Sequence, residues 1–189
     1  MTGRRGLGRP RAAGRAAAVL VVAAGGLLGA CGGGAPTVGT PAPIPTARPS
    51  ISPAVQATLV QVDVALRANG LVRESTLTVV RPAEPPSFDG VARWPFHVVL
   101  PDDPAGAYFL IYEFADPALA ADGGRDLAAY LGSGPGRIQF PPDVRFVLRQ
   151  AGSTLVFFPW SPASSPDPRT PAVAAALASV GSEVAIPPG

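Results

Sequence analysis

The chain contains a single histidine, His97, the residue type that serves as general base in a Ser-His-Asp triad. It lies within the run Phe96 to Leu100, which has the composition of a β-strand, so the His97 side chain faces opposite to Phe96 and Val98. No Gly-x-Ser-x-Gly turn is present to expose a nucleophilic serine, and a histidine-based metal site lacks partners. We therefore expect a structural role for His97, and we expect no catalytic residue, no cofactor and no metal site.

Carboxylates are the other groups that could transfer protons. Asp102 and Asp103 lie in a Pro/Asp/Gly segment with turn chemistry, and Asp122 and Asp126 would share one solvated face of a helix. Neither pair has the alternating ligands and terminal glutamate of a calcium loop. We expect the first pair to form a turn and the second to be solvated.

Glu113 is the carboxylate whose position asks for an explanation, because it stands on a predicted central strand, where a charge needs a partner. Arg145 and Arg149, on a later predicted hairpin, are its expected cross-strand partners. The alternative function class is a hydrolase with an unrecognised site built on Glu113, Asp126 or His97. A structural ion pair is the favoured interpretation.

Two tryptophans are the better candidates for recognition. Trp94 precedes Pro95, and Trp160 follows Phe157-Phe158-Pro159 where a predicted strand enters a Pro/Ser loop. Tryptophan is enriched among the residues that dominate binding energy at interfaces. We take Trp160 and Trp94 as candidate partner contacts, with packing in the core or at an edge as the alternative.

Composition excludes several chemistries. The chain has no lysine, which removes Schiff-base and Ser-Lys mechanisms. Five of its 15 basic residues are arginines before position 16, whereas all 13 acidic residues follow Cys31, so the remainder carries a net charge near −3. Nucleic-acid binding needs clustered cations, and none remain after the leader. We expect no nucleic-acid partner.

The N-terminal segment has the three-part layout of an export signal. Arginines precede an apolar stretch, Ala16 to Leu28, which is followed by Gly29-Ala30 and the only cysteine, Cys31. The run from Leu28 to Cys31 resembles the lipobox of bacterial lipoproteins. In that family the cysteine receives a diacylglyceryl group and the signal peptide, here residues 1–30, is removed. The apolar stretch is too short for a membrane span, which needs about 20 residues.

This resemblance implies attachment to the membrane through acyl chains such as palmitate on Cys31. The expected location is the extracytoplasmic face of the cell membrane, or the outer membrane if the host has one. The expected function is a non-catalytic binding or accessory module of the cell envelope, with an envelope protein or wall component as partner. A passive structural envelope protein is the other alternative.

Residues 31–53 are predicted to be a disordered tether, because Gly, Ala, Pro, Thr and Ser cannot bury enough apolar area to offset their ordering entropy. Its prolines favour an extended polyproline conformation. A single globular domain is expected over residues 54–189. With one cysteine in the chain, no internal disulfide can stabilise that domain.

The first half of the domain predicts a helix and three strands. The helix follows from an apolar stripe at 3.6-residue spacing, formed by Val55, Leu59, Val62 and Leu66, and it should end at Asn69-Gly70. A short strand is predicted over Thr76 to Val80. Two further strands, Arg93 to Leu100 and Ala107 to Phe114, should pair as a hairpin, the second of them apolar on both faces.

The second half predicts a helix, a hairpin and a last helix. Asp116-Pro117 opens the helix as cap and first residue, and Gly123-Gly124 should weaken its middle. The following stretch Gly132 to Gly136 is predicted to be a loop. The remaining predicted elements are a hairpin of Val144 to Arg149 with Thr154 to Phe158, a loop from Ser161 to Arg169, and a helix that Thr170-Pro171 caps.

This order, α-β-β-β-α-β-β-α, favours a two-layer α+β fold with helices packed on a mainly antiparallel sheet of about five strands. The domain also resembles a group of small uncharacterised bacterial lipoproteins. The shared features are a first helix ending near Asn-Gly, the step Tyr112-Glu113-Phe114, and a Pro141-Pro142 entry into an aliphatic hairpin. Phe158-Pro159-Trp160 departs from the group's glycine-containing turn. The resemblance implies the same fold and location, and no activity.

Overall fold

The computed structural model describes residues 50–76 and 78–188. The predicted signal peptide, the lipobox with Cys31, and the tether up to residue 49 lie outside the described residues. The four α-helices of this part are α1 (Pro53–Ala68), α2 (Pro117–Gly132), α3 (Gly134–Arg137) and α4 (Thr170–Ala178). The six strands are β1 (Arg73–Ser75), β2 (Ala92–Val98), β3 (Tyr108–Glu113), β4 (Arg145–Ala151), β5 (Thr154–Trp160) and β6 (Ser182–Glu183). A 3-10 turn spans Pro86–Phe88.

The six strands form one antiparallel sheet in the order β1-β2-β3-β5-β4-β6, which confirms the α+β class. Both predicted hairpins are present, β2 with β3 and β4 with β5. The second hairpin turns at Gly152-Ser153, where Gly152 takes a positive φ of 59° that favours glycine. The strands β3 and β5 meet in the middle of the sheet, so each has a neighbour on both sides.

The predicted strand over Thr76 to Val80 is wrong. The strand that pairs with β2 lies earlier in the chain, at Arg73–Ser75. The side-chain oxygen of Thr76 instead accepts a hydrogen bond from the backbone amide of Thr78, at 2.9 Å. Such a local bond competes with the sheet for the backbone donor. The pairing of β6 with β4 was not expected, and it brings the described sheet to six strands instead of about five.

The first helix forms as predicted. Ser52 caps it by accepting a hydrogen bond from the Val55 amide at 3.2 Å, and a proline occupies the first turn, where no donor is needed. The predicted apolar stripe is buried throughout the helix. Asn69 follows the last turn, and Gly70 takes a φ of 67°, the left-handed conformation expected at such an end.

The glycine pair in α2 serves close packing. A Cβ atom on Gly123 would lie 2.5 Å from the Phe114 ring, and one on Gly124 would lie 3.3 Å from Leu155 and Val184. The helix is continuous, capped by the Asp116 carboxylate, which accepts a hydrogen bond from the Leu119 amide. The helix therefore approaches the sheet through the two positions where it has no side chains.

Two further details differ from expectation. The stretch Gly132 to Gly136, predicted to be a loop, contains the start of the short helix α3, capped by the Ser133 hydroxyl. The last helix has no side-chain cap, because it begins at Thr170 and its cap position falls on Arg169. The Thr170 hydroxyl donates backwards to the Asp167 carbonyl at 2.9 Å. Val173 and Leu177 of this helix are buried in the core.

Helices cover both faces of the sheet, so the domain has three layers instead of the predicted two. On the first face α1 and α4 pack against alternate residues of the strands, among them Phe109, Ile111, Val156 and Phe158. On the second face α2 and the 3-10 turn pack against the intervening residues, among them Leu110, Tyr112, Leu155 and Phe157. The physical reason is that both faces of β3 and β5 are apolar and must be covered.

A buried ion pair fixes the proline-rich segment before β2 to the second face. Glu84 and Arg93 have side chains only 11% and 17% exposed, and their charged groups bond directly. The Tyr112 hydroxyl donates to Glu84 at 2.7 Å, and Arg93 also donates to the Phe88 and Val91 carbonyls. Burial and the neighbouring carboxylate raise the pKa of Tyr112 far above its usual range.

A second ion pair joins α1 to the edge of the sheet. The Arg73 guanidinium donates to both oxygens of Asp63, at 2.7 and 2.8 Å. This hydrogen-bonded contact lowers the pKa of Asp63 below the 3.8 of a free aspartate. A carboxyl with a depressed pKa stabilises the fold above its unfolded pKa, and this contribution disappears as the pH falls through the folded value.

Asp63→Asn should therefore lower the free energy of unfolding by about 1 kcal/mol at neutral pH, measured by urea denaturation. The difference from the parent should shrink below about pH 4 as Asp63 itself becomes protonated. Asp122→Asn is the matched control, because Asp122 pairs with Arg125 on an exposed helix face. Equal losses in the two variants, or a loss that does not depend on pH, would contradict the assignment.

Candidate functional site

His97 lies where the sequence places it, on a strand face, and its contacts are internal. The side chain is almost fully buried, its Nδ1 lies 3.0 Å from a Glu74 carboxylate oxygen, and its ring centroid lies 4.7 Å from that of Tyr108. A carboxylate only accepts, so Nδ1 carries the proton. Nε2 is buried and has no partner among the described residues. No serine hydroxyl is hydrogen-bonded to this ring in the described part of the chain.

The predicted partners of Glu113 are wrong. Glu113 accepts a hydrogen bond from the Trp94 indole at 3.2 Å. Its neighbours across the sheet are Ala92 on β2 and Thr154 on β5. The second hairpin docks through β5, which places both β4 arginines one strand too far away to reach it.

The two arginines make other contacts. Arg149 donates to the Val180 and Gly181 carbonyls at 2.9 and 3.0 Å, and lies 3.6 Å from Glu183. It therefore ties the end of α4 and strand β6 to the sheet. The Arg145 guanidinium lies 5.4 Å from the centre of the Trp160 ring, a cation-π distance.

The two aspartate pairs considered above lie in different elements of the fold. Asp122 and Asp126 are exposed on α2, and Asp102 is exposed in the turn between β2 and β3. Asp103, half-buried in the same turn, lines a cavity described below. No group of three His, Cys, Asp or Glu side chains within residues 50–76 and 78–188 could hold a metal ion.

Strands β3 and β5 separate at one end, and proline is the physical cause. Their ladder stops at Leu110 opposite Phe157. Continuing the register would place Tyr108 opposite Pro159, and the next hydrogen bond would run from the amide of residue 159 to the Tyr108 carbonyl. Proline has no such hydrogen. Beyond Phe157, β5 remains paired only with β4.

An open cavity of about 380 Å³ lies at this separation, and we call it the Trp160 cleft. Its walls are largely aromatic and apolar, and its polar groups come from the turn before β3 and the loop after β5. The lining residues used below are Asp103, Gly106, Tyr108, Phe140, Trp160, Ser164 and Ser165. The volume falls within the range of small-molecule sites, about 300–1,000 Å³.

The two candidate tryptophans differ in their surroundings. Trp160 is half-buried in the wall of the cleft, beneath Arg145. Trp94 is half-buried against the core that α1 and α4 cover, its indole is bonded to Glu113, and it does not line the cleft. The structure therefore places Trp160 in the wall of the candidate site and Trp94 outside it.

Two aspartates that sequence analysis overlooked hold the rim of the cleft. Asp143 accepts from the Ser161 hydroxyl at 2.7 Å and from the Ala163 amide at 2.8 Å, which lowers its pKa. Asp167 is buried, and accepts from the Arg169 guanidinium at 2.7 Å and from the Asp102 amide at 3.2 Å. These bonds, above all the one from Arg169, hold the pKa of Asp167 well below its usual range. Their sequence signal was weak, since each sits among prolines typical of any loop.

No protein-family profile, no curated protein and no solved structure matches this chain. Within the described residues, no helix combines the length and apolar character that a membrane crossing requires. The candidate site therefore has to be interpreted from its own residues.

Replacement of His97 tests whether the volume of its ring or its polar contact with Glu74 contributes more to the free energy of unfolding. His97→Phe should leave the free energy of unfolding within about 1 kcal/mol of the parent, because the ring volume is kept and the unpartnered Nε2 is removed together with the Glu74 bond. His97→Ala should cost about 2 kcal/mol or more through the cavity it leaves. Urea denaturation measures both. A loss in His97→Phe as large as in His97→Ala would show that the polar contact dominates.

Proposed function

We propose that this chain is a lipid-anchored lipoprotein of the extracytoplasmic membrane face, and that its domain is a non-catalytic module which binds its ligand in the Trp160 cleft. Cys31 would carry the acyl chains. The residues before Ser50 would connect them to the domain.

The proposed location is supported by the sequence alone. A basic start, a short apolar stretch and the run Leu28 to Cys31 together resemble a lipoprotein signal. Each buried methylene contributes about 0.8 kcal/mol to membrane binding, so two or three acyl chains on one cysteine hold a protein firmly. The net charge near −3 after the leader adds no electrostatic attraction to anionic lipid.

The observation that carries the proposed binding role is the opening between β3 and β5. It combines an aromatic wall with a few polar groups, the composition typical of ligand sites. The groups best suited to proton transfer are committed elsewhere: His97 is buried against Glu74 and Tyr108, and Glu113 is bonded to Trp94. A binding module fits these contacts better than a hydrolase.

Cys31→Ala should release the protein from the membrane or leave it unprocessed, because the acylated atom is removed. Fractionation of cells followed by immunoblotting measures the distribution, and metabolic labelling with palmitate measures acylation. Thr40→Ala, also outside the described residues, is the control and should behave as the parent. Equal membrane retention of Cys31→Ala and the parent would refute the anchor.

A photo-crosslinking amino acid at position 164, on the rim of the cleft, should yield a specific adduct in intact cell envelopes. The same amino acid at position 122, exposed on α2, should yield none. Mass spectrometry identifies the captured molecule. Absence of any adduct at 164, or identical adducts at both positions, would favour a passive structural protein over a binding module.

A further inference from the structure

Two polar groups at the Trp160 cleft can only accept hydrogen bonds, the Asp103 carboxylate and the Tyr108 carbonyl. The Ala107 carbonyl accepts from the Val98 amide at 3.1 Å, so it points towards β2. Successive residues of a strand direct their backbone groups to opposite neighbours, so the Tyr108 carbonyl points towards β5. The residue opposite it is Pro159, which has no donor to offer. The Tyr108 carbonyl is therefore directed towards Pro159, another lining residue of the cleft, and receives no hydrogen bond from it.

Asp103 adds a negative charge to the same cleft. Its carboxylate lies against Gly106, where a Cβ atom would approach Asp103 Oδ2 to within 1.9 Å. None of the salt bridges among the described residues involves Asp103, and no arginine or histidine lines the cleft. Asp103 thus adds to the cleft lining a negative charge that no lining arginine or histidine compensates.

The remaining walls suit an apolar stem attached to a positive group. Tyr108 and Phe140 line the cleft, and the face of an aromatic ring attracts a cation within about 6 Å. Arg145 lies over Trp160, and its charge also acts on Asp143, while Arg137 donates to the carbonyl of the lining residue Val144. The hydroxyls of Ser164 and Ser165 can accept the remaining hydrogen bonds of a ligand.

We propose that the Trp160 cleft binds an organic cation, an ammonium or guanidinium group on a short apolar stem, with Asp103 as its counter-ion. This inference rests on the proposed binding role of the cleft and specifies its ligand class. The cation donates to the Asp103 carboxylate and the Tyr108 carbonyl, and its stem lies along the aromatic wall.

Binding of simple probes tests the ligand class. The full chain in neutral detergent is titrated with n-butylammonium, and with n-butanol as the uncharged counterpart of similar size. The amide NMR signals of Gly106 and Tyr108 report binding. Butylammonium should bind at least tenfold more tightly than butanol, and the preference should weaken as salt is added.

Variants of two neighbouring carboxylates locate the effect. Asp103→Asn should weaken butylammonium binding about tenfold and leave butanol binding unchanged, because the shape is kept and the charge is lost. Asp102→Asn is the matched control, since Asp102 is exposed and does not line the cleft. It should change neither affinity.

The outcomes separate this inference from the proposed function. Equal affinity for the two probes, no effect of Asp103→Asn, or no shift with butylammonium would overturn the cation assignment. Any of these results would leave the proposed binding role standing if position 164 still gives its specific adduct. Loss of that adduct overturns the binding role itself.

Discussion

The contact between β3 and β5 is the constraint on which the rest of the fold depends. Four consecutive residues of β3, Phe109 to Tyr112, are fully buried, and β5 is buried over most of its length. A sheet whose central strands are apolar on both faces must be covered twice. The two packed faces, the position of α2 and the docking of the proline-rich segment all follow from that requirement.

The same pair of strands also creates the cleft. Pro159 keeps its partner on β4 but ends the ladder with β3, so the sheet is continuous on one side and open on the other. Acidic residues then fasten the loops around the opening. The molecule thus pairs a rigid core with a gap that arises from one missing backbone hydrogen.

Local features of the sequence predicted the helices and hairpins, because caps, apolar periodicity and turn residues act within a few positions. Which strand of a hairpin pairs with the neighbouring hairpin depends on contacts between residues far apart in the chain. This explains the error at Glu113, whose partner depended on whether β4 or β5 docks against β3. Tyr112 and Glu84 are 28 residues apart, and no local sequence pattern predicts the hydrogen bond between them. Trp160 was found because a tryptophan beside a proline at a strand end is conspicuous, whereas Asp103 was interpreted only as a turn residue.

Asp167 gives the cleft a property that its volume alone does not convey. Its carboxylate joins the Asp102 amide, next to Asp103, to the loop that carries Ser164 and Ser165. The turn before β3 and the loop after β5 are therefore joined through one buried carboxylate, independently of any ligand. A molecule entering the cleft would lose little affinity to the ordering of loops, because that entropy has already been lost during folding. The shape of the opening is therefore set by the fold itself, through hydrogen bonds to one buried carboxylate.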